Sequence, residues 1–341
     1  MAIGIDYVVP MVFPQDPKWR HEYLTATGNY RNDRSTLSSP RFRSWGTEEL
    51  LIRCIRKNLP WIRTIYILLA RPSQVQPWME QLKILGCSCT KARCQGAEQN
   101  SKIKIVFHRD FIPSQYLPTF NANTIEMWLH KIPDLSEYFI YGNDDLFPIS
   151  PLQPEDFFRQ RVGAPRDNDI TTLRHNDKED CAILPCQHMR EKPFPEEPNT
   201  FQKFVKNGLD MVAADWGVKF TDTWLRTGHS LQPMLRSTVE HVCTIHADRI
   251  LQSFTLSRKP KNFNQYIFPF WQHLSGRYID HMPRRTYIGK DVATSDLANI
   301  LRDPNIDVAC INDNKGITAD WEARAEIVRR EIAARLCKIK N

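Results

Sequence analysis

Short runs of apolar and β-branched residues recur along this chain, separated by segments of helical character. Residues 5–13 (IDYVVPMVF), 64–70 (TIYILLA), 103–108 (IKIVFH), 137–141 (EYFIY) and 306–311 (IDVACI) read as strands, the first closed by Pro14-Gln15-Asp16-Pro17. A helix is expected from Thr47 to Asn58, with Glu48 and Glu49 in its first turn, where carboxylates meet unpaired amides, and Pro60 beyond its end. A second is expected over 122–131, stopping before Pro133. Strands that alternate with helices predict an α/β fold with a largely parallel sheet. Ligands bind such sheets beyond the C-terminal ends of the strands. Two polar clusters fall there: Gly142-Asn143-Asp144-Asp145 after the fourth run and Asn312-Asp313-Asn314 after the fifth.

The rest of the chain sets the organisation. Residues 18–44 are polar and read as a surface excursion, and 160–200 as a loop or lid insertion. Helical patterns dominate from Phe201 to Leu256, and Ala319–Leu336 reads as an amphipathic tail helix rich in Arg. One catalytic unit in three stretches is expected: an α/β part over 1–160, a largely helical insertion over 161–283, and a return to the α/β core over 284–341.

A chain of 341 residues with 41% hydrophobic and 25% charged residues can bury a full core. Its net charge of +7 suits phosphate-bearing substrates, a polyanionic product or an anionic surface. It carries no dense Lys/Arg run, so nucleic acid is not expected as a partner. The nine cysteines include no C-x-x-C pair and read as free thiols of a reducing compartment. The first residues lack a basic, then apolar, leader, and no apolar run reaches the roughly 18–20 residues of a membrane span. A cytoplasmic protein is expected, with peripheral contact to the inner face of the membrane through the Arg-rich tail as a further option.

Four stretches, in order, resemble the four conserved regions of the Stealth family, which includes bacterial capsule phosphotransferases. They are IDYVVPMVFPQDPKW (5–19); RFRSWGTEELLIRCIRKNLPWIRTIYILLA (41–70) continuing through SQVQPWM (73–79) to LPTFNANTIEMWLHKIPDLSEYFIYGNDDLFPISPLQPEDFF (117–158); GHSLQPMLRS (228–237) with the arginine of TLSRKPKNFNQ (255–265); and VACINDN (308–314). Two acidic positions of the family pattern are replaced, by Phe13 and Ser44. The resemblance implies a nucleotide-binding sheet similar to glycosyltransferase type A. It also implies transfer of a sugar-1-phosphate from a nucleotide sugar, uridine-linked, to a glycan or phosphoglycan hydroxyl, with Mg²⁺ or Mn²⁺ as cofactor. An ordinary glycosyltransferase that releases a nucleoside diphosphate, or a glycan-assembly protein without turnover, stay open as alternatives.

Such a reaction needs cations on phosphate oxygens and a base at the attacking hydroxyl. Asp144 and Asp145 are metal-ligand candidates, against a plain strand-ending turn; Asn143 accompanies them, and Asp313 is a further ligand candidate. His229 matches the third-region histidine as general base, and Arg258 the third-region arginine that neutralises the transferred phosphate. Arg236, seven residues after His229, is a second phosphate candidate if that stretch is helical. Asn121 and Asn123, near a helix start, Arg43, and Asn312 and Asn314 are substrate-binding candidates. Glu126 and His130, four apart, read as a structural hydrogen-bonded pair. Trp45, Trp61 and Trp78 read as core residues.

Overall fold

The computed structural model describes residues 3–28, 43–84, 101–161, 182–313 and 320–337. Strands β1 (Ile5–Pro10), β2 (Ile62–Leu69), β3 (Lys102–Phe107) and β4 (Tyr138–Tyr141) run parallel in one sheet. The chain then forms the short strands β5 (Leu146–Pro148), β6 (Phe158–Gln160), β7 (Ile183–Gln187), β8 (Met189–Pro193) and β9 (Thr223–Thr227). β10 (Gln232–Leu235) returns to the sheet antiparallel to β4, giving the order β10-β4-β1-β2-β3. Because side chains alternate across a strand, the sheet divides two cores. Tyr7, Val9, Ile65, Ile67 and Ile140 pack on one face, and Val8, Tyr66, Leu68, Phe139 and Tyr141 on the other. Burial on both faces explains why these strands read as unbroken apolar runs.

Helices make the crossovers. α1 (Pro17–Thr27) begins at Asp16, whose carboxylate accepts from the Lys18 amide at 3.1 Å, and Pro17 occupies its first turn. It ends at Gly28, left-handed at φ 68°, whose amide donates to the Leu24 carbonyl. Those caps, inside a polar stretch, make a helix of residues expected to be irregular. α2 (Glu48–Asn58) buries Leu51, Ile52, Cys54 and Ile55 on one stripe, with Glu48 and Glu49 in its first turn and Arg56 and Lys57 in its last, as the charge pattern predicts. α3 (Pro77–Ile84) joins β2 to β3. α4 (Ala122–Glu126) is one short helix rather than ten residues; the chain leaves it at Met127 and makes a separate 3-10 turn over Leu129–Lys131.

The middle of the chain is less helical than its pattern predicts. Residues 183–193, expected as loop, form β7 and β8, and β9 and β10 lie within the stretch read as helical. Around them pack α5 (Thr200–Ala213), α6 (Arg236–Ile245), α7 (Ala247–Ser253) and α8 (Ile267–Leu274). β11 (Ile279–Asp280) pairs with β7. β12 (Arg285–Ile288) leads through α9 (Leu297–Arg302) to β13 (Val308–Ile311), and the small sheet β12-β13-β5 ties the last third of the chain to the segment after β4. The tail helix α10 (Trp321–Cys337) packs on α9 and α2. Its arginines point at the protein: Arg324 to the Val292 and Gly289 carbonyls, Arg329 to the Trp45 carbonyl, Arg330 to Glu331, and Arg335 to the carbonyls of Leu301, Ile149 and Asp303. Among the described residues no helix is long and apolar enough to cross a membrane.

Candidate active site

The C-terminal ends of β1 and β4 open into a cleft of about 780 Å³. It is lined from four separate parts of the sequence, including Arg43 and Glu48, Asn143 to Asp145, His229 with Arg258, and Asn312 with Asp313. The turn that delivers the aspartates begins at Gly142, whose amide donates to the Val8 carbonyl at 3.0 Å. A Cβ there would stand 2.0 Å from the Tyr7 hydroxyl oxygen, so any larger residue would displace the buried Tyr7 ring. Gly228 has the same role before His229: the Arg285 guanidinium occupies the space a Cβ would need, at 1.9 Å.

His229 stands between two partners. Its Nδ1 lies 3.3 Å from the Tyr266 hydroxyl, and its Nε2 lies 3.4 Å from Asp145 Oδ2. The latter is an ion-pair distance that closes no hydrogen bond. Burial disfavours the imidazolium, as do Arg285 and Arg258, but Asp145 outweighs them and His229 titrates above its ordinary value. Burial likewise pushes Asp145 up, yet His229 and the donors Asn312 and Cys310 bring it below the usual carboxylate range. Asn312 Nδ2 donates to Asp145 Oδ2 at 3.1 Å, with Cys310 Sγ at 3.6 Å from the same oxygen. Asp145 Oδ1 is buried and without a partner among the described residues, as is the Tyr7 hydroxyl near it.

Asp144 faces the cleft and is pushed up to about 7, first by enclosure in the protein and then by Asp145 and Glu48. Its side chain is exposed in the cleft, which softens the enclosure; the repulsion by two neighbouring acids is the part that a bound cation would relieve. With the free oxygen of Asp145, it makes a hard-oxygen donor set that fits Mg²⁺ or Mn²⁺. Asp313 does not fit that role. Arg43 holds both its oxygens in a bidentate ion pair, and Trp45 Nε1 donates to one of them at 2.8 Å. Arg43 is stacked 5.0 Å from the Trp321 ring, so it ties the second region to the fourth across the cleft.

Arg258 lines the cleft with an exposed side chain that makes no hydrogen bond among the described residues. Its loop is fixed from below. Asn262 Oδ1 accepts from the Lys259 amide at 2.7 Å and from Asn121 Nδ2 at 3.0 Å. Asn121 also caps α4, its Oδ1 accepting from the Asn123 amide at 3.1 Å, and is wholly buried. Expected to bind substrate, it is a structural post under Arg258, because capping and loop contacts consume its polar groups. Asn123 does line the cleft, with a buried amide nitrogen that has no partner.

Three further expectations are corrected. Arg236 is not on a helical face with His229, since β10 lies between them and reverses the chain. Arg236 sits at the far end of β4, its amide donating to the Glu137 carbonyl at 2.8 Å. Glu126 and His130 do not pair: Glu126 accepts from Tyr141 Oη at 3.1 Å and from the Gln265 amide at 2.8 Å, while His130 stacks on Trp128. Trp45 belongs to the cleft wall as well as the core. Asn314 and Arg41 lie outside the described residues.

Sequence reasoning gave Glu126 only a structural role and passed over Glu48 and Tyr266 as cleft residues. Burial pushes Glu126 up to about 6, against the Gln265 amide, Arg258 and Tyr141. Glu48 accepts from the Ser44 hydroxyl at 2.6 Å, so an acid stands beside the serine that replaces the family aspartate. Phe13, at the other replaced position, is buried in the core. The one available signal was that Glu48 and Glu126 lie inside stretches already resembling conserved region two, while Tyr266 directly follows the third-region stretch 255–265.

Residues 41–165 match the family model described as Stealth protein CR2, conserved region 2. The chain is 27% identical to the receptor polysaccharide phosphotransferase WefC of Streptococcus gordonii, over 96% of each protein. It is 25% identical to the capsular polysaccharide phosphotransferase WcwK of Streptococcus pneumoniae, over 95% of each. Against the capsular polysaccharide phosphotransferase LcbA of Aeromonas hydrophila identity reaches 37%, over 46% of this chain and 40% of that one. A solved structure of the galactosyltransferase LgtC aligns over 98% of both chains at 11% identity and a TM-score of 0.41. The match of its second region to a conserved Stealth region, set beside near full-length similarity to polysaccharide phosphotransferases, makes this chain similar to the Stealth phosphotransferases.

Proposed function

We propose that the chain transfers a sugar-1-phosphate from a nucleotide sugar to a glycan hydroxyl in the assembly of a capsular or surface polysaccharide. The observation that carries this reading is the meeting of His229 with Asp145 at 3.4 Å, in a cleft that also holds the unpaired guanidinium of Arg258. That is a base, its orienting carboxylate and a phosphate-binding cation in one place. The relatives named as polysaccharide phosphotransferases support it.

In the proposed reaction the acceptor oxygen attacks the phosphorus that bears the sugar. The bond from that phosphorus to the nucleoside monophosphate breaks, and the hydroxyl proton passes to His229 Nε2. This nitrogen is the one left without a closed hydrogen bond, while Tyr266 holds Nδ1 and Asp145 stabilises the imidazolium. Arg258 offers a planar fork to the equatorial oxygens as charge spreads over them. A Mg²⁺ or Mn²⁺ held by Asp144 and Asp145 would neutralise the donor diphosphate. Asn123, Asn143 and Asn312 line the same cleft and would orient donor or acceptor. A uridine-linked donor, a phosphoglycan acceptor and work in the cytoplasm or at the inner face of the membrane complete the proposal.

The test is nucleotide release from purified protein given Mg²⁺, a panel of nucleotide sugars and a short phosphoglycan primer. Primer-dependent UMP that vanishes in His229→Ala is expected. Primer-dependent UDP would replace the proposal with ordinary glycosyl transfer.

A further inference from the structure

Cys310, the third residue of β13, is fully buried and faces the cleft floor beside Asp145. Its sulfur has no role in the proposed transfer beyond a 3.6 Å contact to Asp145 Oδ2. Yet Cys310 Sγ, a carboxylate oxygen of Asp145 and a ring nitrogen of His229 all lie within 4.8 Å of one another. Tetrahedral zinc, with bonds of about 2.0–2.3 Å, needs its ligand atoms about 3.3–3.7 Å apart. The separations from Asp145 Oδ2 are 3.4 Å to His229 Nε2 and 3.6 Å to Cys310 Sγ, so two of the three already match such an ion, and the third lies within 4.8 Å. The second sign is orphaned polarity: among the described residues His229 Nε2, a member of the set, is buried without a closed hydrogen bond.

The geometry points to a site for a borderline transition-metal cation such as Zn²⁺, held by Asp145, His229 and Cys310 with its fourth position open to the cleft. The mixed oxygen, nitrogen and sulfur set selects against Mg²⁺, which takes oxygen donors, and suits Zn²⁺ or Co²⁺. On binding, the Cys310 thiol gives its proton to solvent as the sulfur–metal bond forms. Arg258 and Arg285 oppose a cation here, and Asp144 beside Asp145 supplies the offsetting charge. A consequence, resting on the transfer proposed above, is inhibition: the ion takes the nitrogen that would accept the hydroxyl proton.

The experiment titrates Co²⁺ into the full-length protein and into Cys310→Ser and Cys310→Ala, each checked for cooperative thermal unfolding. The wild type should develop a thiolate-to-cobalt charge-transfer band at one equivalent that both variants lack, and Zn²⁺ should abolish the band. Zn²⁺ should also raise the melting temperature of the wild type and not that of either folded variant. A band that persists in the variants, or no band in the wild type, overturns the site. In the transferase assay the Zn²⁺ concentration for half inhibition should rise at least about tenfold in Cys310→Ser. If the transfer reading fails, that arm has no turnover to inhibit, and the absorption and melting arms still decide the site.

Discussion

Asp6 and Asp145 mark opposite ends of the same sheet, and they are treated in opposite ways. Asp6, near the start of β1, is fully buried and fully answered: Arg63 donates to its two oxygens at 2.9 and 2.6 Å, and the Ser136 amide adds a third bond at 2.8 Å. Asp145, beyond the end of β4, has one oxygen crowded by Asn312, His229 and Cys310 and the other left bare. A carboxylate whose lone pairs are all used by the protein holds the fold together. One whose oxygen is kept free in a cleft waits for something the protein does not itself contain. The contrast separates structural from working charge more sharply than burial does.

The largest expected effect lies at the working end. His229→Ala and Asp145→Asn should each lower primer-dependent nucleotide release by about 10²–10⁴-fold, as for loss of a general base or its support. For His229→Ala the melting temperature should hold or rise, because the orphaned Nε2 is removed, and for Asp145→Asn it should change little. A steady-state assay and a calorimetric melt on the same preparations check both, and a melt that falls with activity would erase the distinction. Arg258→Ala should follow, with a loss of about 10²–10³-fold in kcat and little change in stability. Arg258→Lys should recover only part of it, since an ammonium lacks the fork.

At the structural end the ranking inverts. Asp6→Ala strands the Ser136 amide, although half-exposed Arg63 can turn to water, so a cost of about 1–3 kcal/mol in denaturant unfolding is expected. The kcat of the folded protein should not change. Asn121→Ala sharpens the comparison by touching both ends of it: about 1 kcal/mol of stability from the lost cap, and a raised KM from a loosened Arg258 loop.

The last effect is a pH dependence. Burial is the first cause that pushes His130 down to about 4, with Lys131 and Arg236 adding to it. Between about 6.5 and that value the unfolded chain takes up a proton that the folded chain refuses. Stability from this residue is therefore full above about pH 6.5 and lost as pH falls toward 4, by about 1–3 kcal/mol. His130→Gln should flatten that part of the unfolding profile, read by urea titration at successive pH values. An unchanged slope would show that His130 is not refused its proton.

Much of this was legible in the chain. The α/β class followed from β1 to β4, whose burial on both faces leaves continuous apolar runs, and Asp144, Asp145 and His229 stood where the strand ends and the family pattern put them. What was hidden is pairing across distance. Asp313 looked like a ligand until Arg43, 270 positions away, took both its oxygens. Glu126 looked like a partner for His130 until α4 stopped short and turned it toward Tyr141 and Gln265. Arg236 was misplaced because Gln232–Leu235 is too short a run to announce an edge strand, and its pairing with β4 overrides local propensity.

The central claim is that phosphorus moves with the sugar. A donor nucleotide sugar labelled with ³²P at the phosphate that bears the sugar, incubated with protein, Mg²⁺ and primer, tests it most directly. The account predicts label in the glycan, unlabelled nucleoside monophosphate in solution, and neither with His229→Ala. Label recovered in a released nucleoside diphosphate, with sugar but no phosphorus in the glycan, would contradict it.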